Sequence, residues 1–313
     1  KSAVRIGGES MWRSLRWECA GETIVFGEEP TSPVFMDLSS FYPYLVSGVF
    51  DRRSGYGIDG TQTYNAALSS LRVPIEARVL VYNQSSRKYP VEYLTDEYTA
   101  KLCRVFDPRR QGRLIYETNT GSYFISGHPE SLPAFENEAP AVLKFAVDVV
   151  SDYPYWQSTD QIVMDIGTTE ALLSLPGEIT DGMESGEIIT YQSDVPNNTL
   201  YSIYPIIRFW PCNSIPLLVN ADTGKSVSLN RTVPEGYYVD VDTAPERNTV
   251  TAYRLNEATG EYEAAGDRSY WVSLGSNEDF SLEPGKNHLV ADNITAGAFP
   301  AVTLLWRERY LGV

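Results

Sequence analysis

In Leu71-Arg72-Val73-Pro74-Ile75-Glu76-Ala77-Arg78-Val79-Leu80-Val81, apolar side chains occupy every second position, with arginine, proline and glutamate between most of them. That period of two belongs to a β-strand with one buried face, because successive Cβ atoms point to opposite sides of a sheet. Pro74 has no N–H to give to a ladder, so the strand is expected at an edge or at a bulge. Residues 113–127 read as a hairpin: Leu114-Ile115-Tyr116, a polar turn Thr118-Asn119-Thr120-Gly121, then Tyr123-Phe124-Ile125. Leu143, Phe145, Val147 and Val149 alternate with Lys144, Ala146 and Asp148 and suggest one more strand, although a helix there would also accommodate them.

One helix is expected between these strands, from Thr95 to Phe106. Tyr98, Leu102 and Val105 fall on one face, Asp96 and Glu97 stand at its positive end and Arg104 near its negative end. Asp107-Pro108 stops it. Beyond Asp152-Tyr153-Pro154-Tyr155-Trp156 the pattern changes. Turn signals recur about every ten residues, as in Pro196-Asn197-Asn198, Asp222-Thr223-Gly224, Pro234-Glu235-Gly236 and Glu283-Pro284-Gly285. Short aromatic and β-branched runs lie between them, including Tyr204–Trp210, Tyr237–Val241 and Val302–Trp306, which predicts an antiparallel β-sandwich. Only Thr168–Leu175 offers a helical turn there. The expected organisation is mainly β, with residues 1–158 as one domain and 159–313 as the second.

Charge divides along the same line. Residues 1–150 hold 16 Lys and Arg against 18 Asp and Glu, a net of −2; residues 151–313 hold 9 against 23, a net of −14. A phosphate-gripping groove needs the opposite sign, which argues against nucleic-acid binding by the second half. The arginine-rich, near-neutral first half is compatible with a surface that packs on other protein. No run approaches the roughly 20 apolar residues of a membrane span, so no membrane insertion is expected. Cys19, Cys103 and Cys212 form no CxxC and are odd in number, which fits reduced, buried thiols and folding in a cytoplasm. The sequons at Asn83, Asn198, Asn230 and Asn293 are then chance matches.

Catalytic patterns are sparse. His128 and His288 are the only histidines, and no GxSxG or HExxH accompanies either. Gly55-Tyr56-Gly57-Ile58-Asp59-Gly60 matches GxGxxG, but Asp51-Arg52-Arg53-Ser54 precedes it where a dinucleotide site needs a hydrophobic strand. Asp240 and Asp242 share one face of a strand and could hold a cation, or simply line its solvated side. Tryptophans and tyrosines could stack on sugar rings or fill a sandwich core. No catalytic, cofactor-binding or metal residue is assigned, and any carbohydrate-binding residues are left unknown.

The order of several short motifs resembles the distal tail (Dit-like) proteins of long-tailed, siphovirus-type bacteriophages. They begin with Leu71–Arg78, Tyr93-Leu94-Thr95, Cys103-Arg104-Val105-Phe106-Asp107-Pro108 and Gly112-Arg113-Leu114-Ile115-Tyr116. They continue with Tyr204-Pro205-Ile206-Ile207, Asn220–Lys225, Tyr238–Thr243, Leu282–Asn287 and Val302–Tyr310, while Ile162–Tyr191 has no counterpart. The resemblance implies a ring-forming N-terminal domain followed by a galectin-like sandwich, assembled as a hexameric hub at the tail tip. It implies a structural role and no enzyme activity. The implied partners are further copies of the chain, the tail-tube protein, the tail-associated tip protein and receptor-binding proteins, with phage DNA passing through the channel unread. The implied location is the virion, after folding in the bacterial cytoplasm. The rival reading from another class is a host-surface carbohydrate-binding or glycan-degrading protein. Sugar binding does not follow from such a sandwich alone.

Overall fold

The computed structural model describes residues 2–6, 9–27, 34–38, 41, 43, 46–54, 61–80, 91–139, 142–166, 168–171, 187–190, 192–245, 247–276, 279–293 and 301–313. The chain forms two compact units, one of residues 1–159 with 309–313, the other of residues 160–308.

The first unit contains β1 (Ser2–Ile6), β2 (Glu9–Cys19), β3 (Glu22–Gly27), β4 (Val34–Phe35), β5 (Gly48–Arg53) and β6 (Gln62–Leu68). It continues with β7 (Leu71–Leu80), α1 (Val91–Val105), β8 (Gly112–Glu117), β9 (Ser122–Pro129), β10 (Ala134–Ala139), β11 (Val142–Ser151) and β12 (Trp156–Ser158). Seven strands in the order β11-β7-β4-β3-β2-β8-β9 close into a barrel, because β9 pairs back onto β11 through Pro129↔Val149 and His128↔Val150. The sheet continues beyond the closed run, with β10 paired to β11 and β12 paired to β9.

The alternation in β7 is reproduced residue for residue. Leu71, Val73, Ile75, Ala77 and Val79 are buried, and the residues between them are exposed. β11 runs antiparallel beside it with the same alternation, so 142–151 is a strand and not a helix. Pro74 lies opposite Asp148. The Asp148 carbonyl accepts from the Glu130 N–H at 2.8 Å, which directs it away from β7. Pro74 and Asp148 are therefore a non-hydrogen-bonded pair. On its other side, among the described residues, β7 meets β4 only at Arg78 and Val79, so the donor that Pro74 lacks has no ladder position to fill there.

Helix α1 begins four residues before the expected Thr95 and ends at Val105. Leu102, Val105 and Phe106 enter the barrel core, with Tyr98 partly buried against it. Phe106 stacks on Trp17 at 5.7 Å and 12°, and the Trp17 indole N–H donates to the Val105 carbonyl at 3.1 Å. Arg104 pairs with Glu22 at 2.8 Å. Asp107 follows the helix, and its carboxylate accepts from the Arg109 amide and guanidinium. Trp156 is fully buried and donates to the Pro43 carbonyl at 2.9 Å.

The second unit has β13 (Ile162–Ile166), β14 (Thr168–Ala171), β15 (Glu187–Thr190), β16 (Gln192–Asn197), β17 (Ile206–Phe209) and β18 (Pro216–Asn220). There follow β19 (Ser226–Ser228), β20 (Tyr237–Asp242), β21 (Val250–Asn256), β22 (Glu261–Asp267), β23 (Gly285–Asn293) and β24 (Val302–Trp306). A six-stranded sheet, β13-β24-β17-β20-β21-β22, and a four-stranded sheet, β16-β23-β18-β19, send their inner faces into one apolar cluster. This is the expected sandwich. Thr168–Ala171 is not helical: it is β14, paired with β15 in a separate two-stranded sheet, and cross-strand pairing overrides the weak local helix preference. Leu172–Leu175 lie outside the described residues.

The chain then returns to the first unit. β25 (Arg309–Tyr310) pairs with β12 through Trp156↔Tyr310 and Gln157↔Arg309, and Tyr310 meets Tyr123 edge-on at 5.2 Å. The second unit is thus an insertion between two hydrogen-bonded neighbours, and the final five residues belong with the first unit rather than with the sandwich.

Candidate assembly surface

Among the described residues, strands β5 and β6 pair only with each other. Ser69 N–H donates to the Ser47 carbonyl at 2.8 Å and Ser47 N–H to the Ser69 hydroxyl at 3.0 Å, closing the base of the hairpin. Every residue of both strands is exposed. Phe50 (48% exposed) and Leu68 (38%) share one face with Ala66, while Val49 (55%) lies on the other face with Ala67. Tyr64 is 60% exposed. Arg52 lies 4.5 Å over the Phe50 ring and Arg53 5.2 Å over Tyr64. A Cβ at Gly48 would stand 2.6 Å from the Phe50 ring, so glycine there lets the ring fold back over the strand.

A lone two-stranded hairpin is marginal in water, and apolar side chains on both of its faces give it nothing to gain by standing free. It is suited to adding its backbone and apolar faces to another protein surface. This hairpin was not among the expected strands. Its signal was two β-capable segments, Val49-Phe50 and Tyr64–Leu68, on either side of the glycine-rich 55–60 stretch. Gly55–Gly60 lie outside the described residues.

Several arginines of the first half are paired within the chain. Arg72 pairs with Glu130 and Asp148, Arg78 with Glu138, and Arg16 with Glu18 and Glu117. Arg109 pairs with Asp107, and Arg113 lies 4.0 Å over the Phe124 ring. The Arg72, Arg78 and Arg16–Glu117 pairs join residues far apart in sequence, so composition could not separate internal pairing from a contact surface.

The candidate chemical groups are engaged in structure. His128 sits half-buried on β9 where the barrel closes. His288, on β23, places Nδ1 3.0 Å from Asp194 and Nε2 3.2 Å from Gln192. Lys286 also reaches Asp194 at 2.6 Å, and hydrogen bonds from Lys286 and His288 hold that carboxyl below the usual range. Asp240 is held by both forks of Arg208 at 2.8 and 2.9 Å, and Asp242 by Arg247 at 2.6 Å. Each carboxylate is thus neutralised by its own guanidinium, which leaves a cation little to bind. Among the described residues no three His, Cys, Asp or Glu side chains are grouped to hold a metal ion, and no helix is long and apolar enough to cross a membrane.

The motifs Asn220–Lys225 and Leu282–Asn287 turn out to be structural. Buried Asn220 accepts from the Asp222 and Thr223 amides and donates to Asn287 Oδ1 at 3.2 Å. Asn287 in turn donates to the Glu283 carbonyl and accepts from its amide, both at 2.8 Å. Two buried amides with their hydrogen bonds made fix the loops beside β18 and β23.

Two β-rich units, a closed barrel and a two-sheet sandwich inserted near its end, define the class of fold. No family model and no curated protein matches the chain. Among solved structures it is similar to the SPP1 Dit (gp 19.1) protein, described as a paradigm of the hub adsorption apparatus in phages infecting Gram-positive bacteria. Identity is 12% and the TM-score 0.58, covering 95% of this chain and 99% of that one. It is also similar to a chain of the phage P2 baseplate in its activated conformation with Ca, at 10% identity and TM-score 0.50, covering 96% and 100%. The chain therefore has the Dit fold over nearly its whole length, and the resemblance read from the motifs is borne out at the level of fold.

Proposed function

We propose that this protein is a structural, non-enzymatic virion component: a self-assembling hub at the distal end of a phage tail. The observation that carries the reading is the coextensive match to a hub protein, which leaves almost no part of either chain unaccounted for. The exposed β5–β6 hairpin supplies the physical means, with a second copy of the chain as its occupant. Charge favours the barrel unit as the one that self-associates. Residues 1–159 with 309–313 hold 17 Lys and Arg against 19 Asp and Glu, whereas residues 160–308 hold 8 against 22. Crowding copies of the acidic unit would be opposed by like-charge repulsion.

A closed ring, six copies by the family pattern, satisfies such a head-to-tail contact without an open filament. It would join the tail tube on one side to the tip and receptor-binding proteins on the other, with DNA passing through unread. Electron microscopy of the purified protein, alone and mixed with a tail-tube protein, tests this. Rings with a central opening are expected. Separate particles of single-chain size under both conditions would defeat the reading.

A further inference from the structure

The outer face of the six-stranded sheet carries two adjacent rows that the hub reading leaves unused. Asp165, Thr303, Arg208, Asp240 and Thr251 are successive cross-strand neighbours over five strands. Beside this polar row runs an aromatic one. Trp210 and Tyr238 lie 5.3 Å apart, Tyr238 and Tyr253 stack at 4.7 Å and 17°, and Tyr262 lies 4.8 Å from Tyr238 at the sheet edge. Tyr238 is the floor of this row, at 7% exposure, and Tyr262 its open end, at 38%.

The rows are cross-linked before any ligand arrives. The Trp210 indole N–H donates to Thr303 Oγ1 at 2.8 Å, and the Thr303 hydroxyl donates to Asp165 at 2.5 Å. Arg208 grips Asp240 with both forks while lying 4.2 Å over the Tyr238 ring. Burial raises the Tyr238 hydroxyl pKa, so that ring remains a neutral donor. Exposed Ala264, a small side chain, stands opposite Tyr253 on the edge strand. A fixed site of this kind loses little conformational entropy on binding.

We propose that this face binds a neutral or amine-bearing oligosaccharide laid across the strands. A sugar ring presents C–H faces, which pack on aromatic rings, and a rim of hydroxyls, which need planar acceptors and donors beside those rings. The two rows supply both, one strand step of two residues, about 7 Å, apart. The Trp210 and Tyr262 rings lie 6.4 Å apart, edge to face, so the aromatics form one compact platform on which a single sugar ring of the oligomer stacks, with its neighbours lying along the polar row. The net charge of −14 on this unit opposes polyphosphates, nucleic acids and a second copy of the same face. Sugar binding at this face is independent of ring formation, which is measured separately.

The test uses the intact protein on an array of neutral and N-acetylated oligosaccharides, followed by titration of the strongest hit by tryptophan fluorescence and calorimetry. Saturable binding is expected, weakened about tenfold or more by Tyr253→Ala and by Tyr262→Ala, the loss typical of a stacking anchor. Because Tyr262 is substantially exposed, that variant should keep the wild-type melting temperature. Either of two results would overturn the proposal: no saturable binding at millimolar sugar, or binding indifferent to both tyrosine changes.

Discussion

Replacing Phe50 with Ser removes the largest apolar group from one face of the β5–β6 hairpin. Phe50 is 48% exposed. For a side chain presenting roughly 200 Å², about 100 Å² remains to be covered by a neighbour. At about 25 cal/mol per Å² its burial contributes about 2.5 kcal/mol to each contact, or roughly 60-fold in the association constant. The folded monomer should barely notice, because the barrel core does not include Phe50; exposed substitutions away from special features stay within about 0.5 kcal/mol. Mass photometry across a dilution series reads the assembly midpoint, and urea unfolding of the dissociated chain reads the fold. The Phe50→Ser midpoint should move to higher concentration by one to two decades with the unfolding curve in place. Combining it with Tyr64→Ser should shift it further. A double variant that assembles like the wild type would show that the hairpin is not the contact.

Other perturbations test the architecture. Leu102→Ala, at a helix residue buried in the barrel core, should cost about 2–5 kcal/mol by denaturant unfolding; Leu102→Asp should keep the first unit from folding, and a soluble, unchanged protein would refute that burial. Because β12 and β25 are antiparallel neighbours, residues 160–308 can be excised and the ends joined by a short turn. The joined barrel should fold and retain assembly, and the excised acidic unit should remain monomeric by light scattering; the reverse pattern would exchange the roles of the two units. Asp107 is held at a pKa of about 2, chiefly by its hydrogen bonds from Arg109. A depressed carboxyl stabilises above its unfolded pKa near 4 and loses that contribution as pH falls through about 2. Thermal melts of Asp107→Asn should therefore fall less steeply between pH 4 and 2 than those of the wild type.

How much the sequence disclosed depended on whether one face of a segment is buried. β7 and β11 were legible because a barrel wall faces core on one side and solvent on the other, so Leu71–Val79 writes its fold directly into alternation. The sandwich was legible from turn spacing. The hairpin β5–β6 was not, because both of its faces are exposed and no period of two distinguishes them. β14 is too short for a pattern, and its partner lies 16 or more residues away. The aromatic row was hidden for a different reason. Tyr237 and Tyr238 are adjacent and point to opposite faces, and only the sheet order brings Tyr238 beside Trp210, Tyr253 and Tyr262. The motifs that gave the fold away, such as Asn220–Lys225, did so through loop-fixing asparagines, which explains why they identify an architecture without carrying any chemistry.

Native mass spectrometry of the intact chain at micromolar concentration tests self-assembly into a closed ring most directly. One dominant closed species is expected, at about 210 kDa for six copies of a 35.0 kDa chain, appearing without a ladder of open intermediates. A spectrum holding only the 35.0 kDa monomer, at every concentration and with tail-tube protein added, would contradict it.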